Sequence, residues 1–249
     1  MSKIIAIANQ KGGVAKTTTA QILALGLKEK GAEVLVLDLD PQMNLTTLSG
    51  EEPDKKANIY KVFKEEILLQ SAIVRTKFGY DMVKGSLELA AADMEFSMIN
   101  REFILKDVLK KLENIYDYII VDTPPALGIL SVNALVAADN IIIPMTASRL
   151  SLEGLGQLYN TVKTISSFHN PNIEISGILI SMYKHTNVQK KYLEAISEIA
   201  DKLNIRLFNS KIRQATVVES CQDQAENVLL LKNQNVVDDY KHFVSEYLG

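Results

Sequence analysis

One segment constrains this chain more than any other. The apolar run Lys3-Ile4-Ile5-Ala6-Ile7-Ala8-Asn9 leads straight into Gln10-Lys11-Gly12-Gly13-Val14-Ala15-Lys16-Thr17-Thr18, after which helical spacing begins. A polyphosphate group needs small residues around it, so that backbone N–H groups can turn inward. It also needs a helix N-terminus aimed at it, a lysine for its outer oxygens and a hydroxyl for Mg²⁺. Lys16 and Thr17 fit the last two roles, and the strand-to-helix placement separates this loop from an incidental Gly-rich turn. The expected phosphate cradle comprises Lys11, Gly12, Gly13, Val14, Ala15, Lys16, Thr17 and Thr18. If position 15 requires a positive φ, its alanine costs roughly 1 kcal/mol.

Elsewhere, short β-rich apolar runs alternate with longer helical patterns. The runs are Val34–Asp40, Tyr80–Val83, Tyr118–Asp122, Asn140–Pro144 and Ile175–Ser181; helical spacing marks Thr17–Lys30, Phe103–Leu112, Leu152–Ser166 and Val188–Leu203. Several runs are apolar on both faces, as buried parallel strands are. Repeated strand–helix–strand units predict an α/β fold, a mostly parallel twisted sheet with helices on both faces. No linker or repeat divides the 249 residues, so we expect a single domain over 1–249 with ligands at the carboxyl ends of the strands. Two strand ends carry acids. Asp38-Leu39-Asp40-Pro41-Gln42 closes the second run, and Asp122-Thr123-Pro124-Pro125 closes the run Tyr118–Asp122. Carboxylates there can order the waters of Mg²⁺ or an attacking water, so Thr17, Asp40 and Asp122 are the expected metal-handling set.

Lys11 before Gly12-Gly13, with Lys16-Thr17 closing the loop, resembles the deviant Walker A box of the ParA/MinD superfamily of P-loop NTPases. Asp38-Leu39-Asp40-Pro41-Gln42, the segment Asp122–Gly128 with Ser131–Leu135, and the stretches Ser86–Met94 and Arg101-Glu102 resemble the ParA/Soj branch. The likeness spans nearly the whole chain and weakens after about residue 180. Ala15 stands where the family has Gly, and Met43 and Leu45 where it has Gly and Ala. The resemblance implies an ATPase using ATP and Mg²⁺, with Lys11, Lys16 and Asp40 as catalytic residues. It further implies that Lys11 reaches the nucleotide of a second copy in an ATP-dependent homodimer, that the dimer binds nonspecific double-stranded DNA, and that a ParB-like centromere-binding or cargo adaptor protein is the partner.

Other branches fit less well. The C-terminal apolar face through Val236, Val237, Tyr240, Phe243 and Val244 suggests an amphipathic helix, but its polar face, with Asp238, Asp239, Lys241 and Glu246, is net negative and unsuited to anionic lipid. We therefore expect no membrane partner, a helix docked on the sheet, and a cytoplasmic, nucleoid-associated protein. The lone Cys221 excludes cysteine-paired metal sites and an intrachain disulfide framework. A metabolic ligase of the dethiobiotin-synthetase type and a MinD-like positioning ATPase remain the alternatives. For DNA, the segment Lys184–Arg213 carries seven basic and three acidic residues in a chain of net charge -3. Lys184, Lys190, Lys191, Lys211 and Arg213 are the candidate contacts, Arg213 by its match to a DNA-contacting arginine of the family.

Overall fold

The computed structural model describes residues 2–96, 99–112, 114–232 and 234–249. Eight strands form one sheet: β1 (Lys3–Ile7), β2 (Val34–Asp38), β3 (Ile73–Arg75), β4 (Asp81–Val83), β5 (Tyr118–Asp122), β6 (Asn140–Met145), β7 (Glu174–Tyr183) and β8 (Leu207–Arg213). Their order across the sheet is β3-β4-β2-β5-β1-β6-β7-β8. All neighbours run parallel except β3, which pairs antiparallel with β4 through a tight turn at Thr76–Gly79. The long helices are α1 (Lys16–Glu29), α7 (Ile129–Ala137), α8 (Arg149–Phe168), α9 (Asn187–Leu203), α10 (Thr216–Asp223) and α11 (Asn235–Leu248). Shorter ones are α2 (Asn44–Leu48), α3 (Ile59–Phe63), α4 (Leu69–Ala72), α5 (Ala92–Glu95) and α6 (Ile104–Leu109).

Strand side chains alternate between faces, and both sets are apolar, which sorts the core into two layers. Ile5, Ile7, Val34, Val36, Ile120 and Ile142 face α1, α10 and α11. Ala6, Leu35, Leu37, Ile119, Val121 and Ile141 face α6, α7, α8 and α9. Burying each of the larger side chains contributes roughly 1.5–3 kcal/mol relative to leaving it in water. Gly26 sets how closely α11 packs on α1, since an added Cβ would meet the Val244 methyls at 2.7 Å.

The alternation expected from sequence is present, and the structure adds to it or departs from it in several places, the short antiparallel β3 among them. The pattern over Phe103–Leu112 is a 3₁₀ turn, α6, then a second 3₁₀ turn. The Asn133 side chain intervenes there, accepting from Leu105 N–H and donating to the Arg101 carbonyl. Strand β8 replaces what sequence left unassigned before Arg213. The acidic face of α11 is turned against β8: Glu246 accepts from the N–H groups of Asn209 and Ser210, and Asp239 from that of Arg213. These carboxylates satisfy the outer backbone edge of the sheet. No helix among the described residues is long and apolar enough to cross a membrane.

Candidate functional site

Because β1 lies between β5 and β6, and β2 flanks β5, the loops after β1, β2 and β5 open at one end of the sheet. In the parallel register Ile7 pairs with Asp122, and Asp122 with Asp38, so both acidic strand ends lie beside the loop that follows β1. The Asn9 side chain anchors that loop by donating to the Pro144 carbonyl at 2.7 Å and accepting from Lys11 N–H. Ser181 Oγ, on β7, holds the Val14 carbonyl at 2.9 Å. Gly13 and Ala15 both take left-handed backbone, φ 68° and 63°. The positive φ suspected at position 15 is thus present, and an alanine occupies it.

Helix α1 starts directly after Ala15. No side chain caps its N-terminus, and its first turn holds no acid. That leaves the positive end of the helix facing a cleft of about 600 Å³, lined by Gly12, Gly13, Ala15, Lys16, Thr17, Thr18 and Asp40 among others. Lys16 is buried, and its Nζ donates to the Lys11 carbonyl at 3.2 Å. Burial lowers its pKa, while the Asp122 and Asp40 carboxylates oppose that shift.

Asp122 is fully buried, and neither of its oxygens has a hydrogen-bond partner. Burial first, then the nearby Asp38 charge, pushes its pKa well above the ordinary range; the Thr17 hydroxyl and Lys16 act in the other direction. Lys16 offsets only part of that burial, so a carboxylate held this way has room for a further cationic partner. A hydrated divalent cation beside Thr17 would be one, so the donor set fits Mg²⁺. Asp40, at the next strand tip, accepts from Gln42 N–H and faces the same cleft. Asp38 turns inward instead, and burial raises its pKa to about 6 against hydrogen bonds from Thr46 and Asp40.

Lys11 is placed differently. It does not line the cleft beside Lys16; its Nζ donates to Thr146 Oγ1 and Ser148 Oγ, each at 3.3 Å, and Ser151 completes this hydroxyl cluster. Sequence reasoning also missed a second cleft of about 240 Å³, which shares Gly13, Ala15 and Thr18 with the first. Its other walls include Met182, Ile212, Arg213, Gln214 and Val218, and Gln222 on α10 reaches back to Thr18 Oγ1 at 2.9 Å. These residues lie at the carboxyl ends of β7 and β8 and just beyond β8, far from the loop in sequence, and nothing in the sequence links them to it.

The family profile described as "AAA domain" matches residues 2–175. Soj of Bacillus subtilis, described as a sporulation initiation inhibitor protein, is 39% identical over 202 residues, 80% of each chain. The chromosome partitioning protein ParA of Myxococcus xanthus is 38% identical over 200 residues, 79% of this chain and 71% of that one. The chain belongs to the ParA/Soj family. Among solved structures, cobyrinic acid a,c-diamide synthase from Mycobacterium smegmatis with a bound ATP analogue and magnesium superposes with a TM-score of 0.86. It is 31% identical, over 98% of this chain and 93% of that one.

The ParA/Soj resemblance also nominated DNA-contacting residues, and these divide into two groups. Lys184 lies just past β7, and Lys190 and Lys191 on the first turns of α9; all three are exposed, with no carboxylate at ion-pair distance among the described residues. Lys211 and Arg213 lie half-buried on β8. Arg213 holds Asp239 through Nε at 2.6 Å and Nη2 at 2.7 Å, and Arg206 pairs with Glu246. Helix α11 therefore neutralises two cations of the basic segment and halves its local excess.

Proposed function

We propose that this ParA/Soj-family chain is an ATP-dependent partition or cargo-positioning switch. In this reading Mg²⁺ and ATP occupy the first cleft, with the base in the second. Lys16 neutralises outer phosphate charge, Thr17 ligates Mg²⁺, and Asp122 orders its water shell. Asp40 positions the attacking water for slow hydrolysis. The observation that carries the reading is the division of labour between two lysines. Lys16 is buried in the phosphate cradle, while Lys11 is held on the Thr146 and Ser148 hydroxyls outside it. A lysine so placed is free to serve the nucleotide of a second copy, and neutral hydroxyls release it more readily than a carboxylate would.

The nucleotide-closed dimer would then bind DNA of any sequence. One subunit offers a modest basic face through Lys184, Lys190 and Lys191, with Lys211 and Arg213 nearer α11, and two subunits double it. A ParB-like or cargo adaptor protein would stimulate hydrolysis and release the dimer. The decisive experiment compares binding to duplex DNA with ATP, ADP and no nucleotide, for the wild type and Lys11→Ala. ATP-dependent binding and dimerisation, both lost in Lys11→Ala while ADP binding survives, are expected. An ATP-bound chain without DNA affinity at low salt refutes the DNA track, and a Lys11→Ala variant that dimerises normally refutes the sandwich. The 31% identical synthase favours one second reading, an ATP-driven ligase acting on a carboxylic acid. ATP turnover that requires an added acid and amine donor, and ignores DNA, would select it.

A further inference from the structure

Asp38 has the burial of a functional carboxylate, yet it does not line the cleft. Its Oδ1 accepts from Asp40 N–H at 3.2 Å. Its Oδ2 accepts from both the N–H and the Oγ1 of Thr46, at 2.8 and 2.7 Å. Thr46 is itself fully buried, and its Oγ1 accepts from Gly85 N–H at 3.0 Å. Gly85 allows this approach, since an added Cβ would meet Asp38 Cγ at 3.0 Å. One carboxylate thus fastens the tip of β2, the helix α2 and the loop after β4.

Helix α2 needs that fastening. It starts after Met43, in left-handed backbone at φ 55°, and no side chain of its own caps it. Thr46 is its third residue, so the remote Asp38 carboxylate accepts one of the N–H groups that a local cap would ordinarily take. The other side of the same helix, Asn44, Thr47 and Leu48, lines the cleft beside Gln42 and Asp40. We propose that Asp38, through Thr46, is the positioning residue of this site, holding Asp40 and the cleft wall of α2 as one body so that the water-directing carboxylate keeps its place against the phosphate. This rests on the hydrolytic reading above for its catalytic consequence, and on the geometry alone for its structural one.

Thr46→Val keeps the volume and removes only the hydroxyl, leaving Asp38 and Gly85 each one partner short. Thr46→Ser restores the hydroxyl, and Asp38→Asn replaces an acceptor where two donors converge. Amide hydrogen exchange over residues 42–48 and single-site ATP kinetics are measured together. Exchange over 42–48 is expected to rise in Thr46→Val and Asp38→Asn, return to wild type in Thr46→Ser, and stay unchanged in α1. Because misplacement by about 1 Å costs roughly 100-fold, kcat is expected to fall 10–100-fold in Thr46→Val with ADP affinity within about twofold of wild type. Unchanged exchange overturns the proposal, as does a kcat loss matched by an equal loss of ADP affinity. A wild type that shows the exchange pattern but no ATP turnover refutes the hydrolytic reading and leaves the positioning role supported. Should Asp38→Asn not fold, the Thr46 pair decides alone.

Discussion

Ala15→Gly tests the phosphate loop where the chain departs from its family. Ala15 sits at φ 63° and ψ 34° as the residue before α1. For a residue with a Cβ this left-handed conformation costs about 1–2 kcal/mol, because the Cβ crowds the following carbonyl. Glycine removes that strain but gives the unfolded chain more freedom, which costs about 0.4–1 kcal/mol on folding. Taking the middle of each range, the difference leaves a net gain of about 0.8 kcal/mol for Ala15→Gly. For a chain of this size each kcal/mol moves Tm by about 2–4 °C, so calorimetry without nucleotide should show a rise of about 1–4 °C. If the loop keeps its shape when phosphate binds, the strain cancels between free and bound states, and nucleotide affinity stays within about twofold. An unchanged or lowered Tm refutes the argument, since it would mean that Ala15 bears no strain in solution.

Asp40→Ala should bind ATP with near wild-type affinity yet lose at least about tenfold in kcat, because its carboxylate acts on water rather than on ground-state phosphate; calorimetric titration alongside phosphate release checks both. Glu246 should make the fold acid-sensitive. Burial works to raise its pKa from 4.5, but the hydrogen bonds from Asn209 and Ser210 and the Arg206 charge outweigh it, so the folded value is depressed. Its contribution is then present above pH 4.5 and lost as pH falls through the lower folded value. Urea melts of wild type and Glu246→Gln should accordingly differ at pH 7 and converge in acid; a gap that persists at the lowest pH contradicts the assignment.

What the sequence disclosed, and what it hid, follows from the range of the interactions. β1, β2, β5 and β6 were legible because parallel central strands are apolar on both faces, and the phosphate loop because its parts are contiguous. The structure brings Lys16 and Thr17, singled out by the loop spacing, to the same end of the sheet as Asp40 and Asp122, singled out by their places at strand tips. β8 escaped because Leu207-Phe208-Asn209-Ser210-Lys211-Ile212-Arg213 mixes polar and apolar residues as an edge strand does, and its partners Asp239 and Glu246 lie 26 to 37 residues on. The same distance hid the pairing of Arg213. The second cleft was illegible for a related reason: Met182 and Val218 meet the loop only through the winding of the sheet. Asp38 was visible as an acid, but nothing local distinguished its inward turn from the outward turn of Asp40.

The two margins of the sheet also bear on how copies of this chain can associate. One margin is β3, three residues long, with its last residue Arg75 tied to Asp81. The other is β8, whose N–H groups at Asn209, Ser210 and Arg213 are already taken by α11. Adding a strand from a neighbour needs a run of free backbone donors and acceptors, and neither margin offers one. Filament growth by sheet extension is therefore disfavoured at both ends. With the two faces of the sheet packed under helices, association falls to side chains on the helices and on the loops at the strand tips. At those loops any contact between copies is made within reach of the phosphate cleft, so assembly there cannot be indifferent to what the cleft holds.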